Sequence, residues 1–435
     1  MRLQTYFTGA FLIVLSGCTK FEDAEMTARN TFIHFFSSET NYVGIVAELD
    51  TDGGFILSGE IRKENSESDA LIIKTDERGH KLWEKTIEKS IIYAVRAREN
   101  GYILAGDSIK FNSGLSGVTL SELENSYAKL LLMDSKGNMI AQHTSTAKIR
   151  SGNDTLTIDY HGSAFDIDPN GNIVMLGSYR IPGKNESTFV SAFDPSDMGD
   201  ALWYQAYEFD RDLFNCNALY ITPASDLIWA SRIFSQAGNL SREFVGVSRV
   251  KANSTYRSYT QYGENDNRNH SVEDIQRSSV GYCAIGTYAE ANGLNGNMYF
   301  IRFDAGLGII PGSERYIDGE DVMLNNTIMN SQSKAKSSSV DEGLAVVATD
   351  DGFVLAGTMT STPSVGNGGK DILLIKLDPF GNLIWKKLLG GTGDEIVSSI
   401  RETADKGLLI FGTNTVNGLS TMMLIKTDRE GNLNN

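Results

Sequence analysis

The sequence predicts an all-β chain: one β-propeller of about seven four-stranded blades, its ring closed by a strand from the N-terminus. Three observations carry that expectation. A two-part motif repeats through nearly the whole chain. The apolar runs between turns are short and rich in Ile, Val, Leu, Tyr and Phe, with no stretch of helical period long enough for a helical solenoid. The last repeat ends at Asn435 without room for its fourth strand, while an unassigned strand-like segment, Thr31 to Phe36, lies before the first repeat.

The first half of the repeat is a polar turn, an apolar run and a glycine. Residues 50–60 read DTDGGFILSGE, residues 349–358 TDDGFVLAGT and residues 403–413 TADKGLLIFGT. Weaker copies begin at 99, 169, 223 and 279. The glycine, read here as closing the second strand, recurs at Gly59, Gly106, Gly177, Gly286, Gly357 and Gly412, with Ser231 in the fourth place. Successive spacings are 47, 71, 54, 55, 71 and 55 residues, mostly a little above the roughly 40–50 of propeller blades.

The second half is a strand, then Asp-x-x-Gly, then a strand with Trp in the best copies. Residues 69–87 read DALIIKTDERGHKLWEKTI and residues 371–389 DILLIKLDPFGNLIWKKLL. Asp bonds the backbone two residues on and Gly takes the positive φ where the chain reverses. The Trp is expected to lay its apolar face on the neighbouring sheet. Blade 3 keeps Asp194 and Trp203 with a longer turn; blades 4 and 5 keep the strands and lose the turn motif. First strands are expected near Tyr42, Ile91, Ser163, Asn215, Ser271, Gly343 and Glu395. The N-terminal segment would supply the outer strand of blade 7 and remove the open sheet edges.

Composition narrows the partners. The 435 residues are 41% apolar, with 43 glycines against 7 prolines and a formal net charge of −16. Scattered Lys and Arg in an acidic chain argue against nucleic acid.

The N-terminus lies outside the fold. Tyr6 to Leu15 is a short apolar run after Arg2, below the roughly 20 residues that span a bilayer. Leu15-Ser16-Gly17-Cys18 follows and resembles the bacterial lipobox at all four positions. The resemblance implies a signal peptide over 1–17, acyl chains such as palmitate on Cys18, a tether over 18–30 and the propeller over 31–435, blades starting from about 42. It places the protein at the cell envelope, lipid-anchored in the outer membrane. Lys20, Glu22 and Asp23 resemble a tag sending some lipoproteins to the cell surface.

The Asp-x-x-Gly-x-x-x-Trp turn resembles that of quinoprotein-type propellers, including lipoproteins that serve outer-membrane assembly. With Gly390-Gly391-Thr392-Gly393-Asp394-Glu395 it resembles uncharacterised bacterial surface propellers. The adjacent cysteines of quinone-dependent dehydrogenases are missing, so no cofactor is expected. A sialidase-type Asp box fails to match, because Gly comes one residue late and Lys74 stands two before Asp76.

Sites of chemistry are sparse. Asp166 to Asn172 resembles the start of a calcium loop, but its twelfth position is Gly177 instead of a bidentate Glu; it aligns with the first hairpin turn of other blades. The five histidines fall in no nucleophile motif. Cys216 and Cys283 fall in neighbouring repeats, either as a disulfide or as two buried thiols. The first and third connections are short hairpins in most blades. The second, and the link to the next blade, are long and share one face, where binding residues concentrate. Segments 108–126, 144–161, 208–214, 263–271, 289–297, 317–341 and 360–370 build that face and hold Tyr160, His161, Arg211, Arg268, His270, Tyr288 and Asp321 as candidate ligand-binding residues.

The expected function is therefore a non-enzymatic lipoprotein that binds a glycan or protein partner on the long-loop face. Two alternatives stay open: a polysaccharide-active enzyme using carboxylates such as Asp321 and Glu342, and a periplasmic scaffold for outer-membrane assembly.

Overall fold

The computed structural model describes residues 31–433 except 38–39, 64–66, 110–125, 146, 152–153, 182, 209–211, 238–239, 255–256, 264–267, 291–295 and 331–339. The signal, lipid-attachment and tether assignments, Cys18 included, lie outside the described residues. Seven antiparallel sheets follow one another along the chain. In blade 1 the strands run Asn41–Leu49 (A), Phe55–Arg62 (B), Ser68–Thr75 (C) and Lys81–Ile87 (D), each paired with the next. The other A strands are Ser90–Arg98, Asp154–Ile167, Asp212–Ile221, Arg268–His270 with Asp274–Ser278, Asp341–Thr349 and Asp394–Glu402. Each A strand touches the A strands of both neighbours, so the seven form the inner ring of a propeller. Each of seven apolar clusters joins one neighbouring pair of blades; that of blades 7 and 1 packs Phe411, Met422 and Leu424 on Phe55, Leu57 and Leu71.

Closure is as the sequence predicts. Phe32–Phe36 pairs antiparallel with Leu419–Thr427, and Phe32, Phe35 and Phe36 stand opposite Lys426, Met423 and Met422. Blade 7 thus takes its D strand from the N-terminus.

The repeat motif reads directly in the packing. The Asp76 backbone N–H donates to the carbonyl of His80, and its carboxylate accepts from the N–H groups of Arg78 and His80 at 2.9 and 2.8 Å. Asp134, Asp378 and Asp428 repeat the arrangement. Gly137 sits at φ 77°. Trp83 of the preceding blade covers it and donates from Nε1 to the Ser135 carbonyl at 3.2 Å. Trp385 covers Gly431 in the same way, and Phe32 with His34 covers Gly79.

Five expectations need correction. The recurring glycines do not close strand B; they sit inside it. Gly44 of blade 1 and Gly412 of blade 7 meet there, a Cβ on Gly44 falling 2.4 Å from the Gly412 carbonyl oxygen. Strands therefore run on past the glycine, to Arg62 in blade 1 and Glu290 in blade 5. Blade 5 has not lost its turn: Asp304 accepts from Gly306 and Gly308 at 2.8 and 2.9 Å while Leu307 takes the positive φ, 70°. Within 144–161, Ala147–Ser151 pairs with the start of Asp154–Ile167, so an added hairpin replaces much of the expected loop. Segment 317–341 contains a helix, Gly319–Asn325, capped by Asp318. Nor is every B–C connection long: in blade 7 it is the two-residue turn Asn417-Gly418, at φ 52° and 80°.

Candidate functional site

The B–C and D–A connections share one end of the propeller, and the A–B and C–D hairpins share the other. The candidate residues lie near the first end, but mostly in strands. Tyr160 and His161 belong to strand A of blade 3, Arg268 and His270 to strand A of blade 5, and Tyr288 to its strand B. This corrects their placement on loops: strand pairing extends past the glycines and carries them into the sheets. Arg211 lies outside the described residues.

His161 is the centre of one group. Its Nδ1 lies 3.1 Å from Asp107 Oδ2 and 3.1 Å from Ser126 Oγ. The other Asp107 oxygen accepts the Gly162 N–H at 2.7 Å. Burial pushes the Asp107 carboxyl above its ordinary value. Burial of His161 opposes its charge, but the bond and the field of Asp107 outweigh that and raise the imidazole above its usual pKa. The residue types suggest a Ser-His-Asp relay. A relay needs acid and nucleophile on opposite ring nitrogens; here both contact Nδ1. The group is a hydrogen-bonded anchor between blades 2 and 3, with the His161 side chain 38% exposed. Tyr160 beside it is buried and stacks on Tyr179 at 6.0 Å.

A second group joins blades 4 and 5. His270 is fully buried among Tyr262, Tyr288 and Tyr299, with ring centroids 5.2 to 5.4 Å away. Tyr262 and Tyr316 share a hydroxyl hydrogen bond of 2.5 Å. Tyr288 is buried as well, and the Arg268 guanidinium lies over its ring at 4.7 Å. Arg268 and His161 are thus only partly buried, whereas Tyr160, His270 and Tyr288 hold the blades together from within. Asp321 lies on the helix Gly319–Asn325 and accepts from Asn325 Nδ2 at 3.2 Å. Glu342 pairs with Lys370 at 3.2 Å.

A further set went unread in the sequence: the residue after each recurring glycine. Glu60 accepts from Ser68 and pairs with Arg62, Ser178 donates to Glu186, and Arg232 pairs with Glu243. Polar residues at that step in otherwise apolar strands were the available signal.

The axis carries its own polar belt. Glu48, Arg96, Asp166, Tyr220, Gln276, Val347 and Arg401 all pair with the residue three before the recurring glycine or Ser231. They occupy one level of the inner ring. Arg401 bonds Glu48 across blades 7 and 1 at 3.1 Å, Arg96 pairs with Asp166 across blades 2 and 3, and Tyr220 donates to Gln276 across blades 4 and 5 at 2.9 Å. Asp274 beside the belt is raised to about 6, because burial outweighs the pull of Arg401 and the Val346 N–H.

The short-turn end has a different character. Lys74, Lys376 and Lys426 on three C strands are almost fully buried and reach A–B turns. Lys74 meets Asp50 and Asp52 at 2.8 and 2.7 Å, Lys376 meets Asp351 at 2.5 Å, and Lys426 meets Asp405 at 2.5 Å. An open groove of about 400 Å³ lies there beside the closing strand, lined by Asp52, Gly54, Asp76, Glu77, Arg78, His80 and Leu82. Among the described residues, no three or more His, Cys, Asp and Glu side chains gather as a metal-ligating set. The Asp168 carboxylate is filled by its own turn, accepting from Asn170 and Asn172. Cys283 is a buried free thiol whose pKa burial pushes up, so the disulfide alternative does not hold.

No protein-family model matches the chain, and no curated protein matches it. The chain is similar to several solved structures. They include the sialidase of Trypanosoma rangeli (10% identity over 88% of this chain and 53% of that one, TM-score 0.42). YCF48 from Cyanidioschyzon merolae gives 10% identity over 92% and 99%, TM-score 0.45. A chain of the complex of Drosophila plexin A with semaphorin 1b gives 8% over 91% and 86%, TM-score 0.48. The chain spans about half the length of the sialidases. At these identities the likeness concerns the fold alone.

Proposed function

We propose that this chain is a lipid-anchored envelope protein whose propeller presents its long-loop face to a glycan or protein partner without catalysing a reaction. The observation that carries the proposal is the polarity of the closing strand. Phe32 lies opposite Lys426 and Phe36 opposite Met422. Lys426 stands two residues before the Asp428 turn at the short-turn end. The chain therefore enters the ring from the short-turn face. A tether running from Cys18 would reach the propeller at that end and leave the long-loop face directed away from the membrane. About a dozen residues span at most roughly 40 Å, so the protein would stand close to the bilayer.

The polysaccharide-enzyme alternative gains no support from the geometry: Asp321 is bonded within its helix and Glu342 is neutralised by Lys370. Mass spectrometry of the N-terminal peptide from membrane fractions tests the anchor. Acylated Cys18 is expected, with soluble, unprocessed protein in Cys18→Ser. A glycan array and cross-linking on intact cells test the face. Binding lost on substituting Arg268, and unchanged on substituting Arg78, is the expected pattern; turnover of any arrayed glycan would overturn the non-enzymatic reading.

A further inference from the structure

Buried carboxylates recur at the long-loop end of the blades, and several have a cation beside them. Glu60 has Arg62 at 3.0 Å, Asp69 has Lys63 at 2.6 Å, Asp107 has His161 at 3.1 Å and Glu186 has Arg180 at 3.0 Å; Glu243 has Arg232. This is the expected solution, since an isolated buried charge is costly.

At the junction of blades 6 and 7 two buried carboxylates stand together with no ion-pair partner among the described residues. Asp371 is the second residue of strand C of blade 6 and is 0% exposed; Glu395 is the second residue of strand A of blade 7 and is 1% exposed. Both border Gly390, where an added methyl would stand 1.9 Å from Asp371 Oδ1 and 2.7 Å from Glu395 Oε2. Asp371 Oδ2 accepts from Ser361 Oγ at 2.7 Å and the Asn367 N–H at 3.0 Å, and Glu395 Oε2 from the Gly391 N–H at 2.8 Å. The remaining Asp371 oxygen, Oδ1, is buried with no hydrogen-bond partner among the described residues. Lys370, next to Asp371 in the chain, is turned to Glu342. The charges acting on Glu395 are those of Asp371 and Asp394, both negative. Asn414 stands directly across from Glu395, so its side chain shares that face, and its Oδ1 is buried and unpartnered too.

We propose that Asp371 Oδ1, Glu395 and Asn414 Oδ1 bind a hard divalent cation of the calcium type at the junction of blades 6 and 7. The donors are all oxygens, as such a cation prefers. Two carboxylates balance its charge. Loop carbonyls and water complete a shell of six to eight oxygens. Gly390 is required because any side chain there would occupy the cation's place. The Gly390–Glu395 segment thereby acquires a role as the loop that folds over the ion, pinning the last blade to its neighbour.

The test uses the mature protein stripped with a chelator and dialysed, with calcium chloride as the only addition. Millimolar calcium should raise the Tm by about 2 °C or more, with a smaller rise for magnesium, which demands stricter geometry. Glu395→Gln should abolish the rise. It should also leave the stripped protein at least as stable as the stripped wild type at pH 8, because it removes an uncompensated charge; a structural role alone would lower it. An equal calcium response in wild type and Glu395→Gln would mean scattered binding to an acidic protein and would overturn the proposal. So would a calcium-insensitive Tm that falls from pH 5 to 8 only when Glu395 is present, which would assign the junction to a proton shared by the two carboxyls.

Discussion

Phe32, in the first described strand, lies directly across a ladder from Lys426 in the last. The same Phe32 ring packs over Gly79 of the first blade. One short strand thus completes blade 7 and covers the outer turn of blade 1. Five ladder pairs depend on it, each with a net worth of about 0.5–1.5 kcal/mol. Deleting residues 31–36 should cost at least about 3 kcal/mol and expose the edge of Leu419–Thr427 to association. A thermal melt with light scattering checks both; an unchanged melt would show that the ring does not depend on this strand.

Gly44 should tolerate alanine badly for steric reasons alone. The new Cβ would lie 2.4 Å from a backbone oxygen of Gly412, and backbone cannot rotate aside. Gly44→Ala is expected to destabilise by about 1–3 kcal/mol, the cost of overpacking. Gly171 offers the contrast. Nothing lies within 4 Å of its added Cβ, but its φ is 88°, so Gly171→Ala should cost only about 1–2 kcal/mol of left-handed strain. Replacing Gly171 with Asn, which accepts that region, should recover much of the loss; Asn at position 44 should recover none. Urea midpoints of the four variants separate the two causes.

The buried lysines predict a charge-pairing pattern. Lys426 is 5% exposed and held by Asp405. Lys426→Met removes the cation that faces that carboxylate. Because Asp405 keeps some solvent contact, the loss should fall near the lower end of the roughly 3–5 kcal/mol for breaking a buried pair. Adding Asp405→Asn to Lys426→Met should restore part of it. A double-mutant cycle with no coupling would show the pair to be energetically idle.

His161 supplies a pH dependence. Its imidazole titrates above the ordinary value because Asp107 is beside it. The folded state then holds the proton more tightly than the unfolded state. That contribution is complete below the unfolded pKa of about 6.5 and is lost as pH rises through the folded value. NMR titration should place His161 above 6.5, and Asp107→Asn should bring it down.

The scaffold was legible because its signals are local. Asp76-x-x-Gly79 states a turn by its own chemistry, and the leftover Thr31–Phe36 segment could be matched to the missing strand by counting. The candidate site was less legible, for a physical reason. Tyr160, His270 and Tyr288 look like loop residues when the glycine is taken as the end of the strand. Pairing in fact continues beyond Gly177 and Gly286 and carries them inward. The Arg401–Glu48 and Asp107–His161 contacts join residues 353 and 54 positions apart, and neither has a spacing that announces it. In blade 5, Leu307 holds a left-handed turn that only glycine would have signalled.

We propose that the N-terminal strand, which closes the ring, also turns the short-turn face toward the membrane. The most direct measurement is fluorescence quenching of single labels on protein anchored through Cys18 to vesicles carrying a headgroup quencher, in a background without Cys216 and Cys283. A label at Glu77→Cys, on the short-turn face, should be strongly quenched, and one at Ser364→Cys, on the long-loop face, should not. Quenching of Ser364→Cys with Glu77→Cys unaffected would contradict the account.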